Sequence, residues 1–126
     1  MTKQTLNTQN APAAIGPYSQ GIKAGNLIFT SGQLPINPQS GELVADIEGA
    51  TKQSLDNVKA ILESSGSSMD NVVKTVVFLR DMNDFAAMNA VYASYFPNNP
   101  PARSAVQVAR LPKDAIVEIE AVALAD

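Results

Sequence analysis

The order of periodic segments predicts an α+β fold, a mixed β-sheet with two helices packed on one face. Three observations carry that reading. Short apolar runs around residues 20–32 have the form of a hairpin, two amphipathic helical patterns occupy residues 46–65 and 83–96, and β-branched runs stand between and after them. The resulting order of strand, hairpin, helix, strand, helix, hairpin gives two helices, enough to cover one face of a sheet.

Taken in order, Thr2 to Asn7 is an edge-strand candidate, followed by a loop punctuated by Pro12, Gly16 and Pro17. Gln20 to Lys23 and Leu27 to Gly32 read as a hairpin around Ala24-Gly25-Asn26, with Gly32 closing the return strand. Pro35, Pro38 and Gly41 make residues 33–45 a surface loop. From Asp46 to Ser65, Ile47, Ala50, Leu55, Val58, Ile61 and Leu62 recur at helical spacing, with Asp46 as N-cap and Gly66 as the stop. Val72 to Arg80 is apolar at nearly every position, the pattern of a strand covered on both faces. Asn83 to Phe96 forms the second helix, with Phe85, Met88, Tyr92, Tyr95 and Phe96 as its stripe and Pro97 as its end. A Pro-rich connector at 97–101 delivers the chain into a strand at Ala102 to Ala109, and Ile116 to Leu124 is the last strand.

Composition bounds the chemistry. At 126 residues one domain spanning 1–126 is expected, and 45% apolar content is ordinary for a globular chain. No apolar run approaches the roughly 20 residues that cross a bilayer. Met1-Thr2-Lys3-Gln4-Thr5 does not open a secretory signal, so a cytoplasmic address is expected. Nine Lys and Arg against 12 Asp and Glu give a net charge of −3, and the cations form no stripe, which disfavours nucleic acid as a partner. The chain has no Cys and no His, so disulfides, thiolate nucleophiles, Ser-His triads and nearly all zinc or haem sites are excluded. Chemistry must run on Arg, Glu, Asp, Tyr, Ser, backbone groups and water.

In the last strand Val117, Ile119, Ala121 and Ala123 point one way, and Glu118, Glu120, Val122 and Leu124 the other. Both rows contain apolar residues. Helices on one side would leave the second apolar row uncovered unless subunits associate, so a homo-oligomer is expected.

The charged residues inside these last two strands are the main functional signal, because burying charge is costly unless it is paired or used. A hairpin centred on 111–114 would set Arg103 opposite Val122, Ala105 opposite Glu120 and Gln107 opposite Glu118, with Arg103, Ala105, Gln107, Glu118 and Glu120 all on one face, the one without helices if Val117, Ile119 and Ala121 pack under them. Arg103 and Glu118 would then lie roughly 13 Å apart along the hairpin, too far to pair within one chain. A site shared between neighbouring subunits follows as the expectation. An Arg suits a small carboxylate because its planar fork offers parallel donors, and a nearby Glu can hold water or move a proton. Spacing alone equally allows a structural ion pair.

Five further positions draw notice. Asn89 is polar on the apolar side of the second helix, where a helix-to-loop contact is the commoner role. Tyr18 follows a Gly-Pro turn and is able to place a phenol in a cleft. Ser31-Gly32 at a strand end offers a hydroxyl and a backbone N–H, although no base stands beside Ser31. Lys74 reads as an outward-pointing edge lysine rather than a Schiff-base former.

Several segments in order, Asn10-Ala11-Pro12-Ala13-Ala14-Ile15-Gly16-Pro17-Tyr18-Ser19-Gln20, Thr30-Ser31-Gly32-Gln33, Gln53-Ser54-Leu55-Asp56-Asn57-Val58, Pro101-Ala102-Arg103-Ser104, and Val108 through Asp114 with Glu118-Ile119-Glu120-Ala121, closely resemble the RidA family of enamine/imine deaminases. The resemblance runs from about residue 8 to the end. It implies a chorismate-mutase-like α+β fold assembled as a homotrimer, the second sheet face inward and three clefts between subunits. It implies hydrolysis of 2-enamine/2-imine acids such as 2-aminoacrylate to 2-keto acids and ammonia, with no metal or organic cofactor. By the same resemblance Arg103 binds the substrate carboxylate, Glu118 positions or activates water, and Tyr18, Ser31, Gly32, Asn89 and Ala105 line the cleft.

One departure stands out. Ala105 occupies the place where many relatives carry Cys, which weakens a thiol-based or redox-sensing role more than it weakens hydrolysis, since imine hydrolysis needs only a positioned water and proton transfer. The alternative reading is a keto-acid-binding or regulatory trimer using the same clefts without turnover. Ribonuclease activity, attached to some relatives, fits poorly with an acidic chain lacking histidine, and chorismate mutase chemistry rests on shared architecture alone.

Overall fold

A computed structural model describes residues 2–126. Its strands are β1 (Lys3–Leu6), β2 (Gly21–Ala24), β3 (Leu27–Thr30), β4 (Val72–Leu79), β5 (Ala102–Gln107) and β6 (Val117–Leu124), with helices α1 (Ile47–Glu63) and α2 (Phe85–Tyr95). The six strands form one mixed sheet in the order β1-β2-β3-β6-β4-β5. Every neighbouring pair is antiparallel except β4 and β5, which run parallel because α2 carries the chain back between them.

Local chemistry sets the element ends. Gly25 at φ 60° opens the two-residue turn between Ala24 and Leu27, a conformation that an L side chain disfavours. Asp46 caps α1 by accepting from the Gly49 N–H at 2.8 Å. At the other end Gly66, at φ 86°, and Ser67 donate back to the Glu63 and Leu62 carbonyls. That is a Schellman-type stop, at the glycine expected from sequence.

Both helices lie on one face of the sheet. Leu55, Val58, Ile61 and Leu62 of α1 and Met88 and Tyr92 of α2 bury against Val77, Val117, Ile119 and Ala123. The alternation expected for the last strand holds: Val117, Ile119, Ala121 and Ala123 are buried under the helices, whereas Glu118, Glu120 and Val122 are half-buried and Leu124 is exposed. On that outer face Phe29, Val73 and Val106 are 43, 42 and 44% exposed. The apolar run of β4 therefore has only one face covered within a single chain, contrary to the two-sided cover expected from its composition. Lys74 pairs with Ala102 and Val122 inside the sheet, so it belongs to a central strand and not to an edge.

The largest correction concerns the last two strands, which do not form a hairpin. β4 lies between them, pairing Thr75 with both Arg103 and Ala121, and Val77 with both Ala105 and Ile119. Arg103, Ala105 and Gln107 consequently share the helix face with Ala121, Ile119 and Val117, opposite to Glu118 and Glu120. Residues 111–114 fold instead into a short 3-10 turn in which Lys113 and Asp114 have positive φ, and the connection passes over the end of β4. The reason is topological. A parallel β4-α2-β5 unit occupies one edge of β4, and β6 fills the slot between β4 and β3, leaving it no free edge for β5.

Among the described residues, no helix is long and apolar enough to cross a membrane.

Candidate active-site cleft

The candidate residues separate into two groups on opposite faces. Tyr18, Ser31, Gly32 and Glu118 line one open cleft of about 700 Å³. Arg103 and Asn89 meet on the helix face at the outer end of the sheet, with Ala105 two residues along β5.

A β-bulge builds the first group. Between the pairs Phe29↔Val122 and Gln33↔Ile119 the β3 side advances four residues and β6 only three, so one residue is extra. Gln33 and Ile119 exchange backbone bonds of 2.8 and 3.2 Å beyond the bulge, and the Thr30 hydroxyl accepts from the Ala121 N–H at 3.1 Å within it. The chain at Ser31-Gly32 is thereby pushed against the Glu118 side chain. A Cβ at position 32 would sit 2.6 Å from Glu118 Oε2, so the carboxylate occupies the space a larger residue would fill. Burial pushes the Glu118 carboxyl above the usual carboxylate range, and the like charge of Glu120 adds to the shift.

Two buried amides hold the cleft walls. Gln20 accepts from the Thr8 N–H and donates to the Thr8, Ala11 and Pro12 carbonyls, pinning residues 8–12. Asn57, on α1, donates to the Leu34 and Ile36 carbonyls at 3.1 and 3.0 Å. The Ser31 hydroxyl donates to the Ser19 carbonyl and its N–H to Gln20 O, so both Ser31 donors are engaged within the chain. The Ser31 oxygen keeps acceptor capacity.

In the second group, Arg103 Nη1 donates to Asn89 Oδ1 at 2.7 Å. The helix-to-loop role considered for Asn89 is thus replaced by a helix-to-strand bond. Because Arg has no acceptor, the contact engages the Asn89 amide oxygen and leaves its nitrogen as a further donor. The guanidinium lies 4.7 Å from the Tyr92 ring centre and 5.4 Å from that of Phe85. Tyr92 is fixed in turn by a 2.6 Å bond with Thr75 Oγ1. Burial pushes the Tyr92 phenol up, against opposing effects of the Thr75 bond and Arg103, so the phenol stays neutral. Among the described residues the ion pairs are Lys52–Asp56 and Arg110–Asp114, and no carboxylate neutralises Arg103.

Phe85 and Tyr92 read from sequence only as helix core. Their spacing of four and three residues about Asn89 is the signal that all three share a face. Lys113 and Pro112 also reach the Glu118 cleft, and nothing in their local pattern marks them as lining.

Comparison with known proteins places the chain in a family and matches its fold. The family model described as endoribonuclease L-PSP matches residues 8–125. A 2-iminobutanoate/2-iminopropanoate deaminase of Escherichia coli K12 is 56% identical over 124 residues, covering 96% of this chain and 97% of the relative. The crystal structure of the E. coli YjgF product superposes with a TM-score of 0.92 at 56% identity, covering 96% of this chain and 98% of that one. E. coli TdcF with bound serine does so with a TM-score of 0.94 at 50% identity and the same coverage. With a family match over nearly its whole length and relatives above half identity, this chain belongs to the L-PSP/RidA family.

Proposed function

We propose that the protein is an enamine/imine deaminase that hydrolyses 2-imino acids to 2-keto acids and ammonia, as a single RidA-like domain assembled into a homotrimer of chorismate-mutase type. The observation that carries the proposal is the division of the candidate residues. Glu118 sits in a cleft whose lining carries no arginine and Lys113 as its one cation, and Arg103 presents an unneutralised guanidinium on the other face of the sheet, supported by a neutral Asn. Each is half of a site. Association through the apolar outer face of one copy would let the Glu118 cleft of one subunit meet the Arg103 group of another, which also explains why β4 is apolar on both sides.

In this reading Arg103 and the Asn89 amide nitrogen hold the substrate carboxylate, with the imine carbon facing the Glu118 cleft. Water attacks that carbon, forming a C–O bond as its proton passes to Glu118. The C=N bond becomes single as Glu118 returns that proton to nitrogen; Glu118 then takes the proton of the new hydroxyl and passes it to the amine, and the C–N bond breaks as the C=O bond forms, releasing ammonia and leaving the keto group. A carboxyl whose pKa is raised by burial is suited to both transfers. Imines of this kind hydrolyse readily, so orientation supplies much of what is needed. Support from relatives is twofold: one named as a 2-iminobutanoate/2-iminopropanoate deaminase, and one whose structure holds serine, itself a small molecule with a carboxylate.

The test is to generate 2-aminoacrylate in situ with a serine dehydratase and follow its loss with and without the protein. Accelerated loss that disappears in Arg103→Ala while the oligomer persists is the expected result. An unchanged decay rate with wild-type protein would instead favour a binding role for the same clefts.

A further inference from the structure

The Arg103 guanidinium is not held by charge but by two aromatic faces and one amide oxygen. Phe85, Asn89 and Tyr92 project from one side of α2, at spacings of four and three residues. Around Arg103 they place a ring centre at 5.4 Å, an oxygen at 2.7 Å and a second ring centre at 4.7 Å. We infer that Phe85 and Tyr92 are positioning residues for the carboxylate anchor: their ring faces fix the plane of the Arg103 guanidinium so that its remaining N–H edge is presented to substrate. The inference rests on the proposed role of Arg103 and adds to it the residues through which α2 sets that role.

Physical reasons favour rings at this position over a carboxylate partner. An aspartate or glutamate against Arg103 would orient it equally well but would neutralise it and compete with the substrate carboxylate for the same N–H groups. An aromatic face attracts the cation through its quadrupole, shields it from water on that side and occupies none of its in-plane donors. Asn89 takes one N–H of the five, which sets rotation about the guanidinium axis and leaves a parallel pair of donors for a bidentate contact. The two rings are not equivalent. Tyr92 is buried and its hydroxyl is tied to Thr75 of β4, next to Arg103 in the sheet, so its ring is anchored to the strand that also sets the Arg103 backbone. Phe85 begins α2, is only partly buried, and is the ring that can be changed with least disturbance of the core.

The experiment compares steady-state kinetics on an in-situ generated 2-imino acid for wild type, Phe85→Leu, Phe85→Tyr and Arg103→Ala, with thermal melts of each. The expected result is a KM raised about tenfold in Phe85→Leu with kcat within about twofold. Phe85→Tyr, which keeps the ring, should return KM to near the wild-type value. Phe85→Met serves the same comparison should Phe85→Leu not fold. A KM unaffected in Phe85→Leu while Arg103→Ala abolishes turnover would overturn the inference and leave the anchor intact, as would failure of Phe85→Tyr to restore KM. Full turnover in Arg103→Ala would instead overturn the anchor itself, and the inference with it.

Discussion

Arg103 and Glu118 lie on opposite faces of one sheet with β4 between their strands. Two strand spacings, roughly 10 Å, and three residues along the strand, again roughly 10 Å, separate their backbones. No side-chain rotation brings them together in one chain. If both act on one substrate, the second must come from a second copy, and the pathway from fold to activity runs through assembly.

That dependence gives the first prediction. Phe29 is 43% exposed on the outer face of β3, beside Val122 of β6. Phe29→Asp removes little from the core of a single chain but sets a charge on the face that subunits would bury. Sedimentation or size-exclusion measurements should show a monomer with near-native circular dichroism and no turnover. A stable trimer with full activity would place the interface elsewhere.

The raised pKa of Glu118 has a definite sign. Burial and Glu120 favour its protonated form in the folded state, so the ionised side chain opposes folding. Its contribution is most favourable below the unfolded pKa and is lost as pH rises through the folded one. Glu118→Gln should therefore be as stable as wild type in acid and slightly more stable at neutral pH, while turnover falls on the order of 100-fold. Glu120→Gln removes the like charge, and the acidic limb of the pH–rate profile should move to lower pH. Melts and rate profiles across the acidic range check both.

Gly32→Ala separates geometry from stability. The new Cβ would lie 2.6 Å from Glu118 Oε2 and 2.8 Å from its Cδ, both near the mobile end of that side chain. The carboxylate has to turn away, at small cost to folding. A melting temperature within a few degrees of wild type, with kcat reduced about tenfold or more, is expected.

Gln20→Ala tests the cleft wall. Its amide serves the Thr8 N–H and three carbonyls, and the residue is 2% exposed. Loss of those partners leaves buried backbone groups unsatisfied and should cost about 2 kcal/mol by denaturant unfolding. Faster amide hydrogen exchange in residues 8–12 would show that the loss is local to the wall.

How much of this was readable before folding differs by feature. The element order, the Asp46 cap, the Gly66 stop and the two rows of the last strand follow from local rules, because capping, turn chemistry and alternation each depend on residues a few positions apart. The motifs likewise brought out Tyr18, Ser31, Gly32, Asn89, Arg103 and Glu118. Phe85 and Tyr92 were hidden because an aromatic stripe on a helix has the same spacing whether it packs on Leu or on a guanidinium.

Sequence by itself determined which segments become strands and helices, which residues of the last strand share a face, and which charged residues stand inside apolar runs. Only the tertiary structure decided which strands are neighbours. Residues 102–107 and 117–124 alternate in ways that suit pairing with each other as well as with β4, and strand pairing is a long-range choice settled by available edges and by the path of α2. That choice moved Arg103 from the face of Glu118 to the face of α2, where Phe85, Asn89 and Tyr92 receive it.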